Sequence, residues 1–252
     1  MGNNLDWHSR FLQQAAWTKP LRDYLFKQIS LVPSMRVLEV GCGTRAILQE
    51  LEKRFSGEII GLDIDPSMLA QASRNTNQSR LLQSDARALP FPSQAFDLIL
   101  CHFLLLWVKD PVSVVREMRR LTRPGGYVLA LAEPDYGGRI DYPFELQALG
   151  KMQQASLHQQ GANPLIGRQL NDIFFQAGFL SAQSGCLGGE WKQANSESQG
   201  ASEWEIIEQD QMALNPAWSL ENMLKLKNLD QEARKKGTRV LFVPTFYAWG
   251  KK

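Results

Sequence analysis

The feature that most constrains this chain is a rhythm. Between residues 37 and 134, short apolar runs alternate with segments whose apolar residues recur at helical spacing. "VLEV", residues 37 to 40, is short and aliphatic, so it reads as a buried strand. "RAILQELEKRF" follows, with Ile47, Leu48 and Leu51 spaced for a helix that begins near Thr44. "GEIIGLDI" reads as a second strand, and "PSMLAQASRN" as a helix opened by Pro66 in its first turn. "RLLQSD" and "FDLILCHF" are two more strands and "PVSVVREMRRLT" a helix, and "GGYVLALAEP" is a strand entered through the turn at Pro124, Gly125 and Gly126. Such alternation argues for an α/β fold: a doubly wound, mostly parallel sheet with helices on both faces.

The flanks differ from this middle. Residues 1–32 read as helical, with Trp7, Phe11, Ala15, Leu21, Leu25 and Ile29 near the required spacing and Pro20 marking a break. After Glu133 comes a turn-rich loop, "PDYGGRIDYP", then a polar helical stretch over 144–160 and an amphipathic helix, "IGRQLNDIFFQAGF", that ends at Gly178. "LSAQSGCLGGEW" could be a strand, two helical segments follow near 203–213 and 219–235, and "TRVLFVPTFYAWGKK" alternates like a closing strand, with Pro244 favouring an edge or bulge. At 252 residues and 44% hydrophobic content, one core can be buried. The expected organisation is a single domain over 1–252. It has an N-terminal helical lid (1–32), a core (33–133), an inserted helical cap (134–178), and C-terminal strands and helices (179–252) that complete the sheet.

The turn "VGCGT" carries the first chemical signal. Gly41 and Gly43 let the backbone turn sharply between strand and helix, where a ligand can approach main-chain N–H groups. A dinucleotide fingerprint, G-x-G-x-x-G, is matched only weakly by Gly41-Cys42-Gly43-Thr44-Arg45-Ala46. Glu39 points elsewhere, because a carboxylate before the turn repels a pyrophosphate and can pair with an ammonium group. Asp63 ends the second strand, where doubly wound folds bind ribose hydroxyls. Asp85 ends the third strand and can accept a hydrogen bond from an exocyclic amine such as that of adenine. An amino-acid moiety, a ribose and an adenine, read from successive strand ends, describe S-adenosylmethionine.

The ordered motifs "VLEVGCGT", "GLDIDPSML", "SDARALPFPSQAFDLILC" and "LTRPGGYVLALAEP" resemble the class I S-adenosylmethionine-dependent methyltransferases over roughly residues 35–132. "ALPFPSQAFDLIL" is similar to the small-molecule subgroup that includes the ubiquinone and menaquinone C-methyltransferases. The resemblance implies a Rossmann-like seven-stranded sheet. It implies that Glu39, Gly41, Cys42 and Gly43 line the methionine part of the cofactor, Asp63 and Ile64 the ribose, and Met68, Asp85 and Ala86 the adenine, with His102 beside the methyl donor. Arg45 stands where that family usually has a third glycine.

Composition and motif content narrow the acceptor. Basic and acidic residues number 28 and 26, for a net charge of +2, which provides no concentrated basic face for nucleic acid. Cys42, Cys101 and Cys186 lack CxxC spacing, so neither a disulfide framework nor a metal site is expected. "LILCHFLLLWV" is too short to span a bilayer, "MGNNLDWHSR" has no apolar signal region, and the expected compartment is the cytoplasm. The place after the fourth strand reads "CHFLLLW" rather than the Asn/Asp-Pro-Pro-Tyr loop that handles amino groups, and no cysteine has the Pro-Cys setting of pyrimidine C5 chemistry. A small-molecule acceptor with an aromatic or apolar body remains, handled by a monomer or homodimer and leaving S-adenosylhomocysteine as product. Candidate acceptor contacts are Tyr136, Arg139 and Tyr142 in the loop after the fifth strand, with Trp17 on the first helical segment as a contact or a packing residue. The candidate bases are His102, whose unperturbed pKa suits the role, and then Asp135. The competing readings are a catalytically silent S-adenosylmethionine-binding protein acting as sensor or partner subunit, and a nicotinamide-dependent oxidoreductase, which Glu39 disfavours.

Overall fold

The computed structural model describes residues 7–74, 79–188, 204, 207–208 and 220–252. They fall into two compact units. The first, Met1–Glu133 with Ile166–Cys186 and Thr245–Lys252, is built on one seven-stranded sheet. Its strands are β1 (Val37–Val40), β2 (Ile59–Asp63), β3 (Arg80–Gln83), β4 (Phe96–Cys101), β5 (Thr122–Pro134), β7 (Gln183–Cys186) and β9 (Thr245–Lys251). They lie in the order β3-β2-β1-β4-β5-β9-β7. The pairs β1–β2, β1–β4, β2–β3 and β4–β5 are parallel, and β7 pairs antiparallel with β9. The predicted Rossmann-like sheet is therefore present, and its strand order reverses between β1 and β4.

The sheet's centre is dry for a simple reason. Val37, Leu38 and Val40 of β1, Leu98, Ile99 and Leu100 of β4, and Val128, Leu129 and Ala130 of β5 are all fully buried. Strands covered on both faces need continuous apolar runs rather than alternation. The helix α5 (Pro111–Leu121) covers its neighbours with Val114, Val115, Met118 and Leu121, a stripe at helical spacing. Its start is fixed locally, since Asp110 accepts a hydrogen bond from the Ser113 N–H at 2.9 Å and Pro111 occupies the first turn. Burying one such side chain is worth about 1.5–3 kcal/mol.

The N-terminal helical segment splits at Pro20 as expected, into α1 (Trp7–Trp17) and α2 (Lys19–Gln28). The helix after β1 starts later than its apolar spacing suggested, at Leu48 rather than near Thr44, and forms α3 (Leu48–Arg54). The reason is Arg45, whose φ of 84° is left-handed and cannot belong to an α-helix. The helix α4 (Pro66–Ser73) is capped by the Asp65 carboxylate, which accepts from the Ser67 N–H at 2.7 Å.

The second unit comprises Pro134–Leu165 and Leu187–Pro244. The loop expected over 134–143 contains a strand, β6 (Ile140–Tyr142), paired antiparallel with β8 (Val240–Phe242). Its helices are α6 (Gln147–Gln159) and α8 (Leu220–Lys235). Leu146, Leu149, Trp204 and Ile207 form its buried apolar cluster, with Met152, Met223, Leu226 and Leu229 against it. The segment assigned to the cap thus divides, since α7 (Leu170–Gln176) belongs to the sheet unit. Of 179–252, expected to complete the sheet, β7 and β9 do so, while 187–244 belongs to the second unit. The helix expected over 203–213 lies outside the described residues except at 204 and 207–208.

Candidate cofactor site

The carboxyl ends of β1 and β4 flank the point where the sheet's strand order reverses, and in open α/β sheets that is where ligands sit. Glu39 is the third residue of β1, level with Gly61 on β2 and Leu100 on β4. It is buried, and its Oε2 has no hydrogen-bond partner among the described residues. Burial drives its carboxyl well above the usual carboxylate range, the guanidinium groups of Arg22 and Arg45 pull it back, and Asp63 and Glu50 push it further up. An orphaned buried carboxylate oxygen is costly unless a cation or donor meets it. A ligand ammonium group would do so.

The turn beyond Glu39 is shaped by backbone. Gly41 and Gly43 have φ of 74° and 50°, where a Cβ is penalised. Space is short as well. A Cβ on Gly41 would stand 2.8 Å from Leu104 Cδ1, and one on Gly43 would stand 3.0 Å from Phe11 Cε2. The N–H groups of Gly41 and Cys42 both donate to the Leu62 carbonyl, at 2.8 and 2.9 Å. Cys42 points its sulfur into the core, where a Cβ on Gly61 would meet it at 3.0 Å, and burial pushes its thiol pKa up. Its side chain therefore faces packing rather than ligand.

Asp63, the last residue of β2, ties two strand ends together. Its Oδ2 accepts from the Gly43 N–H at 2.8 Å and its Oδ1 from the Asp65 N–H at 3.0 Å. Each oxygen keeps a second lone pair for a ribose hydroxyl. Ile64 is 63% exposed and Met68 half-buried at the start of α4, leaving both surfaces open to an adenosine. Asp85 is half-buried and clasped by Arg87, whose Nη2 donates at 2.6 Å and whose backbone N–H donates at 2.9 Å. The Arg87 side chain, then its backbone N–H, hold that carboxyl down at about 2. Ala86, between them, is half-buried.

His102 follows β4 directly. Its Nε2 lies 2.8 Å from Thr18 Oγ1, which also accepts from Arg22 Nη1 at 2.6 Å. Arg22 is buried and donates through Nε and Nη2 to Glu50 Oε2 at 3.0 and 2.8 Å. Burial first, and then the Arg22 guanidinium, drive the imidazole pKa down to about 3. The ring is thus neutral and anchored, not the near-neutral base that an unperturbed histidine would be.

Four contributors were invisible in sequence. Phe11 and His8 on α1 meet the glycine turn, His8 Nδ1 lying 3.0 Å from Thr44 Oγ1. Thr18 and Arg22, at the start of α2, reach His102 and Glu50. The i, i+4 spacing of Thr18 and Arg22 was the one available hint; their distant partners had none. Trp17, by contrast, is 42% exposed with the Arg10 guanidinium 4.7 Å from its ring centroid, a packing arrangement.

The other expected acceptor contacts belong to the second unit. Arg139 is buried, and donates to Asp141 at 2.7 and 3.1 Å and to Gln153 at 2.5 Å, so its guanidinium is built into that unit's interior. Tyr142 is 47% exposed, its ring edge-on to Phe144 at 5.7 Å. Asp135 is buried, with its N–H donating to the Pro244 carbonyl at 2.8 Å, and the Tyr136 N–H donates to the Pro164 carbonyl at 2.8 Å.

Comparison with known proteins agrees with this geometry. Residues 38–130 match the family model described as a methyltransferase domain. An uncharacterized methyltransferase of Schizosaccharomyces pombe is 29% identical over 198 residues, spanning 73% of this chain and 70% of that protein. The demethylmenaquinone methyltransferase of Anoxybacillus flavithermus is 30% identical over 193 residues, spanning 69% of this chain and 80% of that enzyme. Among solved structures, the YcgJ protein of Bacillus subtilis superposes with a TM-score of 0.59 at 18% identity, over 93% of this chain and 98% of its own. The phosphoethanolamine N-methyltransferase 2 of Haemonchus contortus, crystallised with S-adenosyl-L-methionine, superposes with a TM-score of 0.58 at 18% identity, over 92% of this chain and 52% of its own. The glycine turn after β1, the orphaned Glu39 and the relatives' sequences lead to one conclusion: this chain belongs to the class I S-adenosylmethionine-dependent methyltransferases and resembles the menaquinone methyltransferases among them.

Proposed function

We propose that this methyltransferase acts on a small molecule with an aromatic or apolar body, such as a hydroquinone, by direct displacement. The observation that carries the reading is the apolar character of the segment that follows β4. After His102 come Phe103 and Leu104, half-buried, then the buried Leu105 and Leu106 and the 48% exposed Trp107. Such a segment suits an apolar body and offers no side-chain carboxamide or carboxylate to an acceptor amine. The relatives named as demethylmenaquinone methyltransferases support the same class.

S-adenosylmethionine supplies an electrophilic methyl group on a sulfonium. Glu39 would pair with its ammonium, Asp63 would accept from the ribose hydroxyls while holding the Gly43 N–H, and Asp85 would share its carboxylate between Arg87 and the adenine amine. Thr18 and Arg22 hold the His102 ring in a fixed, neutral state beside the donor end of β4. Fixed geometry with water excluded can supply most of the rate in such a transfer.

Isothermal titration with S-adenosylmethionine and with NAD tests the site, and release of S-adenosylhomocysteine across a panel of hydroquinones and naphthols tests the acceptor. The expected outcome is binding of the first ligand only, with turnover on at least one phenolic acceptor. Asp63→Ala should weaken cofactor binding by about 1.5–3 kcal/mol, the cost of hydrogen bonds to a charged group. Tight binding with no turnover on any acceptor would favour the catalytically silent reading instead.

A further inference from the structure

Glu133 is the one fully buried carboxylate at the sheet's carboxyl edge that the reading above leaves without a task. It lies at the end of β5 and is 0% exposed. Three successive backbone donors converge on it instead. The N–H groups of Leu104 and Leu105 donate to Oε1 at 3.0 and 2.9 Å, and that of Leu106 to Oε2 at 3.2 Å. Successive N–H groups turned to one side form a concave anion nest, here filled by the protein's own carboxylate.

The chain held in this way is the reversal after β4. Phe103 adopts a φ of 51°, uncommon for a residue with a side chain, and its N–H donates to the Ala132 carbonyl at 2.9 Å. Two residues of β5, Ala132 and Glu133, therefore fix the whole bend. One side of the bend is His102. The other is Leu104, whose side chain fills the space where a Cβ on Gly41 would stand, with Cδ1, Cβ and Cγ all within 2.8–3.3 Å of that point. Gly41 opens the turn assigned to the cofactor's methionine part.

We propose that Glu133 is a positioning residue for methyl transfer: its carboxylate latches the 103–106 bend so that Leu104 closes the glycine turn at Gly41 into its cofactor-binding shape. It touches neither cofactor nor acceptor. The proposal rests on cofactor binding at the glycine turn and not on the identity of the acceptor.

The experiment pairs S-adenosylmethionine titration with amide hydrogen exchange on the full chain, for wild type and for Glu133→Ala and Glu133→Gln. In Glu133→Ala the amides of Leu104, Leu105 and Leu106 should lose protection while those of Leu98, Ile99 and Leu100 in β4 keep it. Burial pushes the Glu133 carboxyl up to about 7 while the three N–H groups pull it back, so the titration is run at mildly alkaline pH. There the cofactor dissociation constant should rise by about tenfold as the three hydrogen bonds that support the bend are lost. Glu133→Gln keeps one carbonyl acceptor for Leu104 and Leu105 but sets an amide donor against the Leu106 N–H, so its loss should be smaller and centred on Leu106. If Glu133→Ala does not fold, the glutamine variant carries the test alone. Loosened bend amides with wild-type cofactor affinity would overturn the proposal, because the bend would then have no hold on the turn. Unchanged amides in both variants would overturn the latch itself. A failure of the acceptor reading would appear differently, as normal binding and exchange with no turnover.

Discussion

At the scale of single residues, the site shows how far identity alone can be read. Glu39 and Asp63 could be given candidate roles in sequence because residue type and strand position together limit what they can do: a buried acid before a glycine turn can meet a cation, and an acid at the next strand end has lone pairs to offer a sugar. His102 was misread because its type predicts a group titrating near neutrality, whereas its neighbours decide its pKa. Burial and Arg22 lower it to about 3. The consequence for stability has a definite sign. A histidine whose folded pKa lies below its ordinary 6.5 binds fewer protons when folded, so its contribution is fully present above pH 6.5 and is lost as pH falls toward 3. Urea unfolding of wild type and His102→Asn between pH 7 and 4 should therefore diverge, wild type losing more stability toward acid. The charged group that faces the ring is the Arg22 guanidinium, through Thr18. Parallel curves would mean that the imidazole is not desolvated in solution. Turnover should likewise show no inflection attributable to this ring near pH 6.5.

At the scale of elements, the local patterns held wherever the constraint was local. Pro20 separated two helices, Pro66 and Pro111 opened two others, and Gly178, with a φ of 97°, followed the end of α7. The misses were non-local. The strand β6 could not be seen in "GRIDYP" because its partner, β8, lies about a hundred residues away and shares no pattern with it. The late start of α3 was also hidden, since Arg45 is an ordinary helix former in composition and a left-handed residue in fact. Its buried guanidinium pairs with Glu52, while Nε and Nη1 have no partner among the described residues. Two effects oppose each other in Arg45→Gly. Glycine relieves a left-handed side chain, worth about 1–2 kcal/mol. Removing the guanidinium leaves Glu52 almost buried with the Ser79 hydroxyl but without its counter-charge, and breaking a buried pair costs about 3–5 kcal/mol. The second should win, so Arg45→Gly should lower stability, and adding Glu52→Gln should recover most of the loss. A single variant more stable than wild type in denaturant titration would show that backbone strain, not the ion pair, dominates this turn.

At the scale of the whole molecule, the division of labour between the two units was only half legible. The sequence rhythm located the sheet because parallel strands buried on both faces must be continuous apolar runs, and β1, β4 and β5 are. It drew a helical cap over 134–178 and no separate second unit, because what makes that unit compact is contact between stretches far apart in sequence. Leu146 and Leu149 share an apolar cluster with Trp204 and Ile207. Asp141 is bonded on one side to Arg139 and on the other to Arg239 at 2.7 Å, and Arg239 in turn donates to Asp230, which also accepts from Trp204 Nε1 at 3.0 Å. The second unit thus has, among the described residues, an apolar cluster and a buried charge network of its own. All the residues assigned to the cofactor, from Glu39 to Ala86, lie in the first unit. Replacing 134–165 and 187–244 by short linkers should accordingly leave S-adenosylmethionine affinity near its wild-type value while abolishing turnover on every acceptor. Titration calorimetry with a folded deletion variant decides the point. If affinity collapses although the sheet unit remains folded, the second unit supplies part of the cofactor site; if turnover survives, it does not shape the acceptor pocket, and residues of the sheet unit alone must hold both substrates.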